Sequence, residues 1–270
     1  MDGPEQAAGV AVHAEGFGLR GPRGWAFRDV RIAAEPGSLI AIEGPSGSGR
    51  TCLLLALTGR MKPTEGTATV GGSVLPKQLA SVRRFSAPAH VPGVTDLDPA
   101  LTVGEHLRER ALLQRRFDGS VRALLRPRAE RIAAAKLRID TALAAAGLDR
   151  SALPKGSRTA VRDLERLEAL RLSIALALIG RPRLLGVDDT DLKLSDAERA
   201  EAWALLRSVA ASGTTVLAVC SEAPEDAVVV RTSPHEDERQ AEDSDAGRPD
   251  GATRDDEKGA ADALAETGRS

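Results

Sequence analysis

Tyrosine is absent from this chain of 270 residues, and aromatic residues together make up only 2% of it. Stacking of successive bases on exposed rings, which single-stranded nucleic acid requires, is therefore excluded as a main activity. Cysteine is nearly absent as well. Cys52 and Cys220 lie far apart with no ligand spacing, which argues against a disulfide framework or a zinc site and fits a reducing cytoplasm. No run approaches the roughly 18 consecutive apolar residues of a membrane span; the stretches 52–57 and 174–179 are too short. The first ten residues hold Asp2 and Glu5 but neither a basic cluster nor an apolar core, so they do not read as a signal peptide. Excess charge of one sign is lacking too, the formal net charge being −2. That balance excludes a strongly basic nucleic-acid binder on global charge. The absences predict a soluble cytoplasmic protein with no nucleic-acid partner, whose membrane role, if it has one, comes through a separate protein.

What the chain does have is enough apolar content, 42%, to bury a sizeable core. Its charge is uneven. From Thr232 to Ser270 there are 12 acidic and 5 basic residues, a net of −7, which leaves +5 on the rest. That acidic, Gly- and Ala-rich end, 232–270, has too little apolar content to offset its ordering entropy and reads as a disordered tail. Residues 1–231 read as one α/β domain. Short apolar runs at 10–14, 26–33 and 39–43 predict strands, 52–58 a helix buried on a sheet, and 67–70 with 73–75 a hairpin around Gly71-Gly72. From Val103 the composition turns to Ala, Leu, Arg and Glu, predicting helices at 105–116, 120–125 and 130–146 in a helical subdomain inserted at about 103–180. Its arginines are interspersed with acids, as on a solvated helix face. Alternation then resumes, with helices at 164–179 and 196–211 and strands at 184–187, 214–220 and 228–231.

The motif with the clearest chemistry is Gly44-Pro45-Ser46-Gly47-Ser48-Gly49-Arg50-Thr51, lying between a strand and a helix. A glycine-rich turn there aims backbone N–H groups and a helix N-terminus at a polyphosphate. Thr51 stands where a hydroxyl holds Mg2+, and Asp188, following the apolar run 184–187, is spaced to bind the same ion. Arg50 occupies the position where the motif calls for lysine. A planar guanidinium does not replace a compact ammonium conservatively, so Arg50 is expected to support binding and to serve transition-state charge poorly.

Four further segments carry a family resemblance. They are Phe27-Arg28-Asp29-Val30 with Pro36-Gly37-Ser38, Thr58-Gly59 with Pro63-Thr64-Glu65-Gly66-Thr67, Leu101-Thr102-Val103-Gly104-Glu105-His106-Leu107, and the run 177–185 into the second acidic motif. Together with the cradle the chain resembles the ATP-binding cassette family, the nucleotide-binding subunits of ABC transporters, over about 10–231. The resemblance implies a P-loop NTPase of ABC type: a β-rich N-terminal subdomain, a mostly parallel core sheet and an inserted helical subdomain. It implies ATP and Mg2+ as cofactors, a separate polytopic membrane protein as partner, a second ATP-binding subunit, and a peripheral place at the inner face of the cell membrane.

Taken position by position, the resemblance puts the family's glutamine-loop residue at His90, its catalytic glutamate at Asp189 and its switch histidine at Ser221. Its adenine-stacking aromatic falls near Gly21, where Trp25 is the nearest large ring, and its dimer-contact aspartate falls on Ser195. Its Leu-Ser-Gly-Gly-Gln signature falls on Leu164-Glu165-Arg166-Leu167-Glu168, putting a carboxylate and bulky side chains where a phosphate and close backbone approach are needed. Asp189 is a methylene shorter than glutamate, so water positioning suffers. Two readings stay open: a subunit of a transport system with slow hydrolysis, and an inactive cassette acting as a regulatory or scaffolding module. A chromosome-organising cassette would need heptad arms that are not present, and a P-loop kinase leaves the 101–107 segment unexplained.

Overall fold

The computed structural model describes residues 9–22, 24–117 and 127–233. Val12–Gly21 (β1) and Gly24–Ala34 (β2) pair antiparallel, and Glu65–Val70 (β4) and Ser73–Leu75 (β5) extend them in the order β2-β1-β4-β5. Along β2, Phe27, Val30, Ile32 and Ala34 are buried while Arg31 and Ala33 face out, the alternation of a sheet with one covered face. The second sheet is parallel throughout, ordered β6-β7-β8-β3-β9, from Ser86–Ala89 (β6), Leu184–Val187 (β7), Thr215–Cys220 (β8), Leu39–Glu43 (β3) and Val228–Arg231 (β9). Strands β7 and β8 are buried along their whole length, as continuous apolar runs require when both faces are covered.

Side chains of β3 alternate between two cores, because successive residues of a strand point to opposite faces. Ile40 and Ile42 join Leu53, Leu54 and the antiparallel sheet, while Leu39 and Ala41 join Leu170, Trp203 and the helical part. The first core is built by Arg50–Leu57 (α1), which buries Leu53 through Leu57 on β3, β7 and β8. The second gathers Val103–Phe117 (α3), Arg128–Ala145 (α4), Arg166–Leu178 (α5) and Asp196–Ala211 (α6). Backbone bonds from Val103 N–H to Thr159 O (3.0 Å) and from Val161 N–H to Leu101 O (2.9 Å) fix the entry to this helical part.

The strands at 39–43, 73–75, 184–187 and 228–231 and the helix at 196–211 stand where their apolar patterns predict them. Strand β1 runs on to Gly21 instead of stopping at Ala14, since register shifts after Ala14 and Phe17 break the alternation that would have revealed it. Sequence reasoning missed Leu79–Phe85 (α2) and β6. Both are short, and Pro88 argues against a strand; β6 tolerates it at the edge of the sheet. The helix expected at 120–125 and residues 234–270 of the expected tail lie outside the described residues. Thr232, one residue past the expected domain boundary, is 5% exposed and bonded within the fold. Among the described residues no helix is long and apolar enough to cross a membrane.

Candidate nucleotide-binding site

Strand β3 delivers the chain at Glu43 into the glycine-rich turn, and α1 opens at Arg50. Gly49 is the N-cap of α1 in the left-handed region (φ 80°), and a Cβ there would collide with the Ala26 carbonyl of β2. Only glycine permits both the turn and that approach. At Gly44 a Cβ would fall 2.5 Å from the carbonyl and hydroxyl oxygens of Thr232 and 2.6 Å from Ser48 Oγ. Pro45, Ser46 and Gly47 form the exposed crest, while Ser48 turns inward and is fully buried. No side chain caps α1 and no acid lies in its first turn. Its leading N–H groups are thus left to an anion.

Thr51 and Asp188 meet as the spacing predicts: Thr51 Oγ1 donates to Asp188 Oδ2 at 2.7 Å. Asp188 follows β7 and is 1% exposed. Burial raises its pKa and the neighbouring Asp189 adds to this, against the Thr51 bond and the positive charge of Arg50. A hydroxyl beside a carboxylate is an oxygen donor set suited to Mg2+, which keeps most of its shell for water and phosphate and needs few protein ligands. The donor set and the cradle closed to a Cβ both fit a magnesium nucleotide.

Arg50 does not project over the turn. Its Nη1 donates to the backbone carbonyl of Cys220 at the end of β8. Beside it, the backbone N–H of Ser221 donates to Asp191 Oδ2 at 2.7 Å and its hydroxyl donates to the same oxygen. Asp191, 9% exposed, is the residue that sequence reasoning missed. The only signal was a third acid close behind Asp188-Asp189. Asp189 has φ 49° and its N–H donates to Asp188 Oδ1 at 3.0 Å, while Thr190 bonds the Val219 carbonyl by both N–H and hydroxyl. These bonds lock the segment 188–191 to the end of β8.

His90 follows β6 with φ 54°. Burial lowers its pKa, and the charge of Arg166 pushes the same way, against Asp189 and Asp96. Burial thus favours the neutral ring, and His90, Asp189 and Arg166 share one electrostatic neighbourhood. Glu165 is the N-cap of α5, and its N–H donates to Glu168 Oε2 at 2.8 Å. That helix start is thus occupied by the chain's own acids. Ser195 likewise caps α6, accepting from Glu198 N–H at 3.3 Å and donating to Glu198 Oε2. Trp25 lies on β2 with the guanidinium carbons of Arg20 and Arg28 at 5.6 and 4.8 Å from its ring centroid. Its neighbour Ala26 abuts Gly49 of the cradle through its carbonyl. The fold thus gathers Arg50, Thr51, Asp188, Asp189 and Ser221 at the ends of β3, β7 and β8.

Comparison with known proteins gives a match of residues 27–191 to the family model described as ABC transporter. The Nod factor export ATP-binding protein I of Cupriavidus pinatubonensis is 29% identical over 189 residues, 70% of this chain and 52% of that protein. ABC transporter G family member 13 of Arabidopsis thaliana is 30% identical over 194 residues, 70% of this chain and 26% of that one. The chain spans about half the length of the first of these curated relatives, or less. Among solved structures, a bacterial ABC transporter cassette in dimeric form superposes with a TM-score of 0.62 at 21% identity, covering 83% of this chain and 94% of that one. A bacterial Atm1-family ABC exporter with ATP bound gives 0.60 at 20% identity, covering 94% of this chain and 45% of the exporter.

Proposed function

The chain belongs to the ABC transporter family, and from that membership we propose that it is the ATP-binding subunit of an ABC-type transport system, binding MgATP at 44–51 and hydrolysing it slowly. One observation carries the slow hydrolysis: the groups aligned with phosphate sensing and cleavage are spent on the chain's own atoms. Arg50 is held by the Cys220 carbonyl, Ser221 by Asp191, and the start of α5 by Glu165 and Glu168. Phosphoryl transfer depends on preplaced charge and donors, so binding survives these changes better than turnover does. The self-capped α5 also favours the second reading, a regulatory nucleotide-binding module, since it presents carboxylates where a facing subunit's phosphate would sit.

Coupling to a separate membrane protein is supported by a cleft of about 660 Å³ beside the segment after His90. Its lining includes Arg60, Asp98, His106, Arg110, Leu113 and Ser173. Val94 and Leu113, both exposed apolar residues, lie at this cleft and suit a protein partner at the inner membrane face. The test is MgATP binding and turnover of the purified chain, alone and with whatever membrane protein co-purifies from native membranes. We expect binding in both cases and turnover close to background in the chain alone, unchanged by Asp189→Asn. Turnover by the chain alone that Asp189→Asn abolished would overturn the slow-hydrolysis reading, and no MgATP binding under either condition would overturn both readings.

A further inference from the structure

Thr232 lies outside every motif of the sequence, yet it packs directly against the phosphate turn at Gly44 and Ser48. Its N–H donates to the Glu43 carbonyl at 2.9 Å, continuing the β3–β9 ladder one step past Arg231. Its Oγ1 donates to the same carbonyl at 3.3 Å and lies 2.7 Å from Ser48 Oγ. Either hydroxyl can donate in that second bond; where the Thr232 hydrogen is directed to Glu43, Ser48 is the donor. Ser48 is 0% and Thr232 5% exposed, so neither hydroxyl can turn to water instead. The carbonyl and hydroxyl of Thr232 also fill the space that a Cβ on Gly44 would need.

We infer that Thr232 is a positioning residue for the phosphate cradle, fixing Gly44 and Ser48 from behind so that the exposed crest 45–47 presents its N–H groups outward. A turn with three glycines loses much backbone entropy when ordered. A buried contact that orders it before the ligand arrives removes that cost from binding. Thr232 touches no phosphate itself; it acts through Ser48 and Gly44.

The inference rests on nucleotide binding at 44–51, and its test has one arm that does not. In the absence of nucleotide, Thr232→Val keeps the shape and removes the hydroxyl, and amide hydrogen exchange at 44–50 is expected to speed up several-fold, with β7 and β8 unchanged. In the binding arm, affinities for MgATP and MgADP should fall together by about five- to ten-fold, as for loss of one buried hydrogen bond. Thr232→Ser should restore both readouts to within about two-fold, and Ser48→Ala combined with Thr232→Val should be no weaker than Thr232→Val alone. Unchanged exchange at 44–50 in Thr232→Val, or failure of Thr232→Ser to restore it, overturns the inference. Should Thr232→Val fail to fold, Ser48→Ala is held to the same exchange criterion. A wild-type chain that bound no MgATP would sink the nucleotide reading and leave the exchange arm to decide this one.

Discussion

Asp188 is 1% exposed, and water is the usual stabiliser of a charged carboxylate. Burial raises its pKa, with Asp189 adding to the effect. The native state therefore holds its proton to higher pH than the unfolded chain does. The sign follows: the charged form penalises folding above the raised pKa, and the penalty fades as pH falls through it and vanishes below the ordinary carboxylate range. Asp188→Asn should raise the melting temperature of the nucleotide-free protein at pH 7 by a few degrees, on the order of 1 kcal/mol. The gain should shrink as the pH is lowered, and Mg2+-dependent MgATP binding should drop at least about tenfold. Thermal denaturation across pH, without Mg2+ or nucleotide, checks the first part and titration calorimetry the second. A variant less stable than wild type at pH 7 would contradict the account.

Among the elements, α5 and α6 show how one local rule serves different ends. Each begins with a residue that caps its own N-terminus: Glu165 with Glu168, and Ser195 with Glu198. At α6 the result is structural. Ser195→Ala should cost about 1 kcal/mol, read as a lower melting temperature, and leave MgATP affinity unchanged; a changed affinity would mean that Ser195 does more than cap. At α5 the same device places two carboxylates at the helix start, the feature on which the proposed slow hydrolysis draws. The Ser195–Glu198 cap is visible in the sequence, since a serine followed three residues later by glutamate marks a helix start, and Glu165–Glu168 has the same spacing without a usual capping residue at its head. Their exclusive pairing is not visible there, because whether Glu168 turns back or outward depends on what packs around it.

For the whole molecule, the described fold closes at Thr232 against the end of β3 and the cradle's Ser48. A chain ending at Ser233 should keep both the main thermal transition and MgATP affinity, whereas one ending at Arg231 should keep most of the transition and lose affinity by the same factor as Thr232→Val. Equal affinities for the two truncations, measured by fluorescence titration, would contradict this closure.

The sequence by itself determined the order of strands and helices from 39 to 75 and from 184 to 231, the glycine cradle, and the pairing of Thr51 with Asp188. Each is a local pattern or a spacing between a strand end and a turn, and such patterns fix backbone direction without knowledge of distant residues. The short β6 with Pro88 stayed hidden, because only a place at the sheet's edge makes proline acceptable there. The tertiary structure alone decided where Arg50, Ser221 and Thr232 spend their hydrogen bonds. Their partners, Cys220, Asp191 and Ser48, are brought close by parallel strands joined through long crossovers. Outside the motif that pairs Thr51 with Asp188, no sequence spacing encodes which donor on one strand end meets which acceptor on the next, since that is set by register and by the burial that denies both groups water.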